Sequence, residues 1–300
     1  MSNIQTHSGL VAIVGRPNVG KSTLINALVG EKISITSAKP QTTRHRILGV
    51  LNEGQRQAVL VDTPGLRRDS KRPMHRLMTR AVNQAMADAD IILVAVEADR
   101  LDRQDLKLIE MVGESAAPVL AVANKIDRVA PRELLLPHLQ RLGQVGNFSA
   151  LVPVSAKTGE NLEALAKCIL EAVPAGPKLF PEGMITDRNH AFRISEIIRE
   201  KLLSHLHQEI PYGLSVELEH FVAEGRGWRL HAVVWVERDA QKAIVVGKGG
   251  RVMKAVGVAA RTELMVLLGG PVHLELWVKV RKHWSDSERT LRQMGFDIND

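Results

Sequence analysis

The sequence is poor in the residues that staple or anchor a chain. One residue of 300 is a cysteine, Cys168, so no internal disulfide can form, and a reducing compartment suits the chain. Cys168 falls on the apolar spacing Leu162, Leu165, Ala166, Ile169 and reads as a small buried hydrophobe. No uninterrupted apolar run reaches bilayer-spanning length. Met1 to Gly9 is polar and lacks the apolar core of a signal peptide. Zinc spacing is missing as well: His190, His205, His207, His220, His231, His273 and His283 have no carboxylate or cysteine partners at familiar intervals. No other cluster of Cys, His or carboxylates suggests a second reactive centre. Acidic residues are absent from Ala240 to Thr262, a window that carries Lys242, Lys248, Arg251, Lys254 and Arg261.

What the chain does have is apolar content of 45%, enough for real cores, and a length that suits two domains. The formal charge of +7 points to an anionic partner. Residues 1–180 hold 23 Lys/Arg against 17 Asp/Glu, and residues 181–300 hold 17 against 16. A basic cluster, Arg67, Arg68, Lys71, Arg72, Arg76 and Arg80, is opposed only by Asp69.

The strongest signal is Gly15-Arg16-Pro17-Asn18-Val19-Gly20-Lys21-Ser22, followed by Thr23. An apolar run, Leu10 to Val14, leads in, and the helical spacing Leu24, Ile25, Leu28 leads out. Strand, glycine loop and helix N-terminus make a phosphate cradle, because backbone N–H groups converge on one anion there. Lys21 would reach the β- and γ-phosphates and Ser22 would bind Mg²⁺. Lys39-Pro40-Gln41-Thr42-Thr43-Arg44 reads as a loop, and a threonine here would close on Mg²⁺ and the γ-phosphate. Thr43 is favoured over Thr42.

Ala58 to Val61 reads as a strand that ends in Asp62-Thr63-Pro64-Gly65. The carboxylate would hold Mg²⁺ and the Gly65 N–H would meet the γ-phosphate. Leu66 then stands where a water-orienting glutamine is found in Ras-like switches. Leucine cannot hydrogen-bond, so unaided hydrolysis should be slow. Strand Val119 to Ala123 ends in Asn124-Lys125-Ile126-Asp127. The Asp127 carboxylate matches the two N–H groups on guanine, and adenine would leave it unpaired. Asn124 would pin the loop and the purine's other edge, and Lys125 would cover the ring. Strand Ala150 to Val154 ends in Ser155-Ala156-Lys157, whose Ala156 amide would meet the guanine carbonyl. Strands alternate with helices throughout, and every motif sits at a strand's carboxyl end. That describes a doubly wound α/β sheet of the P-loop NTPase type, a G domain.

Pro174 to Pro177 and Pro181-Glu182-Gly183 punctuate the chain, giving a G domain over 1–176, a linker over 177–188 and a smaller α+β domain over 189–300. A helix is expected from Phe192 to Leu206. Alternation at Leu214, Val216, Leu218 and at Leu230, Ala232, Val234, Val236 marks a hairpin about Gly225-Arg226-Gly227. Gly247-Lys248-Gly249-Gly250-Arg251 then opens a long apolar-periodic helix, and a strand, Val272 to Val280, closes the core. This order resembles a KH domain, whose G-x-x-G loop clamps single-stranded nucleic acid. Gly247, Gly249 and Gly250 would admit the sugar–phosphate backbone, and Lys248, Arg251 and Lys254 would supply charge. By periodicity Ala243–Val246 reads as strand, whereas KH architecture makes it a short helix. Trp228, Trp235, Trp277 and Trp284 alternate like core residues, with Trp284 a candidate for stacking on a base.

GRPNVGKS, DTPGL, NKID and SAK, followed by a helix-led GKGG module, strongly resemble the bacterial Era family. These are GTPases of the TrmE–Era–EngA superfamily with a C-terminal type II KH domain. KPQTTRHR, EIIREKLL and LELWVKVRKHW extend the likeness over nearly the whole chain. The resemblance implies a switch that hydrolyses GTP to GDP and phosphate with Mg²⁺, with Lys21, Thr43, Gly65 and Asn18 in the catalytic set. In related GTPases an asparagine at the position of Asn18 helps hold a potassium ion. The resemblance also implies a monomer acting in 30S subunit assembly and 16S rRNA maturation, with the KH domain on the 3′ end of 16S rRNA. The location implied is cytoplasmic and peripheral to the inner membrane. A membrane-associated signalling GTPase with a protein partner is the competing expectation.

Overall fold

The computed structural model describes residues 5–37, 39, 42–65, 73–206 and 213–293. These divide into two compact units. One draws on Met1–Ser34, Thr43–Ser70 and Leu77–Asp187, the other on Ile35–Thr42, Lys71–Arg76 and Arg188–Asp300.

In the first unit the strands are β1 (His7–Val14), β2 (Ile47–Glu53), β3 (Arg56–Asp62), β4 (Ile91–Glu97), β5 (Val119–Asn124) and β6 (Ala150–Pro153). The helices are α1 (Lys21–Val29), α2 (Pro73–Ala87), α3 (Arg103–Gly113), α4 (Leu135–Gln144) and α5 (Leu162–Ala172). The sheet order is β2-β3-β1-β4-β5-β6, parallel except for β2. Every residue of β4 and β5 is buried, as expected of parallel strands covered on both faces. The strand following β1 in space differs on its two sides, β3 and β4, so a crevice opens at its carboxyl end.

The expected strict alternation of strand and helix breaks at β2. It pairs antiparallel with β3 and joins it through Gly54-Gln55, a connection too short for any crossover helix. Helix α4 was also not foreseen. Pro137 breaks its pattern on paper, but it lies in the first turn, where a missing N–H costs little. Residues of the expected linker hydrogen-bond into this unit: the Phe180 carbonyl accepts from Gln57 Nε2 at 2.8 Å, and the Ile185 carbonyl accepts from Val50 N at 2.8 Å.

The second unit contains α6 (His190–His205), β7 (Leu214–Glu224), β8 (Gly227–Val236), α7 (Asp239–Val246), α8 (Arg251–Leu268), β9 (Val272–Val280) and the short α9 (Glu288–Gln293). β7 and β8 are antiparallel about the two-residue turn Gly225-Arg226, and β9 runs parallel to β8. Ile194, Ile198 and Leu202 of α6, Leu230, Ala232 and Val234 of β8, and Val256, Ala260 and Leu264 of α8 form one core. Burying each of the larger side chains contributes roughly 1.5–3 kcal/mol.

One open alternative is decided here and one expectation is corrected. Ala243–Val246 is the end of a helix, as KH architecture implied, and not the strand that periodicity alone allowed. Gln241 Oε1 accepts the Glu237 and Arg238 N–H groups at its start, and Gly247 N closes its last turn on Ala243 O. Trp284 cannot stack on a base: it is fully buried, with Nε1 donating to Gly213 O at 3.3 Å. Trp277 is the exposed tryptophan instead.

Candidate nucleotide site and nucleic-acid loop

The glycine loop turns from β1 into α1 under tight steric constraint. Gly20 has φ +99, and a Cβ there would lie 2.4 Å from Asn124 Nδ2. No side chain caps α1 at its Gly20 N-cap, and its first turn contains no acidic residue, which leaves its N–H groups suited to an anion. Lys21 is buried, and its Nζ donates to Gly15 O at 2.9 Å and Arg16 O at 3.2 Å. Burial pulls its pKa down to about 8, against the opposing pull of Asp62.

Asp62, at the tip of β3, organises the next cluster. Its Oδ2 accepts from Ser22 Oγ at 2.9 Å, Ser34 Oγ at 2.8 Å and Thr43 Oγ1 at 3.3 Å. Ser22 Oγ and Thr43 Oγ1 are 2.7 Å apart. Thr42 Oγ1 turns away and donates to Lys39 O at 2.7 Å. Burial raises the Asp62 pKa, opposed by Lys21 and the three hydroxyls. Its other oxygen, Oδ1, is buried and has no hydrogen-bond partner among the described residues. Oxygen-only donors around an unsatisfied carboxylate oxygen fit a hard cation such as Mg²⁺. Ser34 was missed from sequence, because a lone serine between isoleucines carries no motif.

Gly65 approaches the phosphate loop so closely that a Cβ would sit 2.8 Å from Pro17 Cγ. The Thr63 hydroxyl does not join the cluster and donates to Ile13 O at 2.7 Å. Leu66 lies outside the described residues, as do Arg67, Arg68, Lys71 and Arg72, whereas Arg76 and Arg80 are exposed on α2.

Asn124 joins the base loop to the phosphate loop. Its Nδ2 donates to Val19 O at 2.8 Å, and its Oδ1 accepts from Lys125 N at 2.8 Å and Ala156 N at 3.0 Å. The Ala156 amide assigned to guanine is therefore engaged by Asn124 here. Asp127 is exposed, with Oδ1 accepting from Ser155 Oγ at 2.7 Å. Lys157 is exposed beside them.

In the second unit, Gly247, Gly249 and Gly250 have φ of +74, +62 and +78, and a Cβ on Gly247 would meet Val252 Cγ2 at 2.5 Å. The loop feeds α8, whose Gly250 N-cap has no side-chain cap. Lys248, Arg251, Lys254, Lys242 and Arg261 are all exposed. Among the described residues no group of three His, Cys, Asp or Glu could hold a metal, and no helix is long and apolar enough to cross a membrane.

Residues 10–125 match the family described as 50S ribosome-binding GTPase, and residues 209–285 match the KH domain family. GTPase Era of Cronobacter sakazakii is 47% identical over 297 residues, 99% of each chain. The chain belongs to the Era family of GTPases. Solved Era structures agree with it: a variant of Aquifex aeolicus Era bound to GDP·AlF4⁻ matches with a TM-score of 0.93 at 36% identity, covering 98% of this chain and 100% of that one. A structure of Era in complex with MgGDPNP and nucleotides 1506–1542 of 16S ribosomal RNA matches with the same score, identity and coverage. An Era-family GTPase thus combines a G domain and a KH domain in one chain, as its loops indicate.

Proposed function

We propose that this chain is a GTP-driven switch that grips the 3′ end of 16S ribosomal RNA during assembly of the small ribosomal subunit. The observation that carries the reading is the buried Lys21, Thr43 and Asp62 with the half-buried Ser22, converging where the glycine loop meets β3. Lys21 would neutralise β- and γ-phosphate oxygens. Ser22, Thr43 and Asp62 would hold Mg²⁺, which when bound neutralises charge on the phosphates. Gly65 would offer its N–H to the γ-phosphate. Asp127 would select guanine, on a loop that Asn124 and Ser155 keep in place. The Era relative solved with 16S nucleotides supports the RNA assignment, and the exposed, acid-free GKGG loop supplies the chemistry for it.

A link between the two activities is supported by neighbouring residues of the first switch. Thr43 joins the Asp62 cluster, while the Thr42 carbonyl accepts from Arg199 of α6 and the Thr36 N–H donates to Glu200 Oε1 at 2.9 Å. Loss of the γ-phosphate would release this segment and, by linkage, change RNA affinity. The domain division carried forward is 1–176, 177–188 and 189–300. A monomer in the cytoplasm, in peripheral contact with the inner membrane, and a potassium ion at Asn18 rest on the family resemblance. Equal hydrolysis in Na⁺ and K⁺ would remove the potassium.

The decisive experiment measures retention of a 16S 3′-end oligonucleotide by nucleotide-free, GDP-loaded and GTP-analogue-loaded protein at one ionic strength. Retention should be strongest with the triphosphate. Indifference to the nucleotide would sink the switch, and no RNA binding in any state would favour a protein-partnered signalling GTPase.

A further inference from the structure

Beneath the two nucleotide loops lies an ion network that no motif demands. Glu97 ends β4 and is buried. Its Oε2 accepts from Arg16 of the glycine loop at 2.6 Å and from Arg100 Nε at 3.0 Å. Its Oε1 accepts from Nζ of Lys125, the lysine of the base loop. The same Nζ donates to Asn18 O at 2.5 Å. Arg16 is held on its other edge by Asp105, whose Oδ2 and Oδ1 lie 2.9 and 3.1 Å from Nε. Asp105 is completely buried and is itself fixed by the Asp102 N–H at 3.1 Å, in the cap of α3.

Lys125 has φ +67, an uncommon conformation for a residue with a Cβ. Its backbone N–H is held by Asn124, and its ammonium by Glu97 and Asn18. The butyl stem is thereby stretched between two anchors before any base arrives. Arg16 likewise cannot move without taking a cation from two buried carboxylates, Glu97 and Asp105. Burial alone would raise the Glu97 pKa, but Lys125 and Arg16 overcome it and hold it at about 2, so the bridge stays ionised at any working pH.

We propose that Glu97 is a positioning residue for guanine-nucleotide binding: one carboxylate oxygen holds Lys125, the other holds Arg16, and this sets the spacing between base loop and phosphate loop. The proposal rests on the nucleotide-site reading above. Preset spacing lets base and phosphate contacts form together, without ordering either loop on binding.

The test uses the full chain and fluorescent GDP, with GTP turnover measured in parallel. Unmodified protein that failed to bind GDP would overturn the site reading itself, which separates that failure from this one. Glu97→Gln keeps the side chain's size and loses its charge. It should weaken GDP about tenfold and raise the KM for GTP by the same factor, with kcat at saturation within twofold of normal. In a Lys125→Met background, Glu97→Gln should cost less than about twofold more, because its partner is already gone. Glu97→Asp keeps the charge but is one methylene too short to reach both partners, so it should lose affinity as well. It also guards against a Glu97→Gln chain that does not fold. Normal GDP affinity in Glu97→Gln, strictly multiplicative losses in the double variant, or full rescue by Glu97→Asp would each overturn the proposal.

Discussion

The two units share one element, a glycine turn before a helix, and surround it in opposite ways. In the first, the cations are inside: Arg16 is 8% exposed and Lys21 6%. Each is tied to named oxygens, and a Cβ at Gly20 or Gly65 would collide with a neighbouring loop. In the second, Lys248 and Arg251 stand in solvent, and a Cβ at Gly249 or Gly250 would meet nothing within 4 Å. A buried cation has a fixed set of neighbours and a high desolvation cost, so it suits one ligand of fixed shape. An exposed cation interacts through water and salt, so it suits a polymer of variable conformation. The contrast teaches that the same loop–helix element gives a selective pocket or a tolerant clamp according to what packs over it.

The sharpest way to break this comparison is Lys21→Ala. Removing a buried, paired cation costs about 3–5 kcal/mol, so nucleotide affinity should fall by about two to three and a half decades, measured by GDP titration. RNA retention by nucleotide-free protein should not change. Preserved GTP affinity would contradict the site.

Gly247→Asp comes next in size. It places a Cβ 2.5 Å from Val252 Cγ2 at a φ of +74 and adds a negative charge to a basic loop. RNA affinity should drop at least about tenfold, with GDP binding intact. Undiminished RNA binding would refute the KH assignment.

The pH response should separate the units further. Lys21 is lowered to about 8 in the folded chain from an ordinary value of 10.5. The unfolded chain therefore holds the proton more tightly between these values, and the nucleotide-free protein should gain stability as pH rises through that window. Below about 8 both states are protonated and the burial cost is present in full. Nucleotide affinity should move the other way, falling up to about tenfold per pH unit above 8 as the phosphate loses its cation. Titration of GDP binding from pH 7 to 9.5 checks this, and a flat profile would contradict a lysine poised near 8.

The smallest effect is the most diagnostic of an exposed clamp. Lys248→Ala should weaken RNA only modestly but reduce the slope of log affinity against log salt by about 0.7, the share of one single-strand phosphate. An unchanged slope would mean Lys248 touches no phosphate.

Much of the site was readable because its motifs are local. GRPNVGKS, DTPG, NKID and GKGG each place their reactive groups within a few residues, where backbone geometry relates spacing directly to shape. The favoured Thr43 does lie in the Asp62 cluster, and Thr42 does not. The unread part is long-range. Ser34 reaches Asp62 across 28 positions, Arg16 reaches Glu97 across 81 and Asp105 across 89. Nothing in the local pattern of any of these residues names its partner. Trp284 was misread for a related reason: flanked by charge in the chain, it is buried by elements distant in sequence.

By itself, then, the sequence determined a G-x-x-x-x-G-K-S loop before a helix, an N-K-x-D turn at a strand's end, a basic glycine turn, and their order along two α/β modules. These depend on residue type and short spacing, which folding does not alter. Only tertiary structure decided that β2 runs antiparallel, that Trp284 is core, and that Glu97 bridges Arg16 to Lys125. Those outcomes depend on which strands lie side by side, and a buried charge acquires its partner only when packing removes the water that would otherwise serve it.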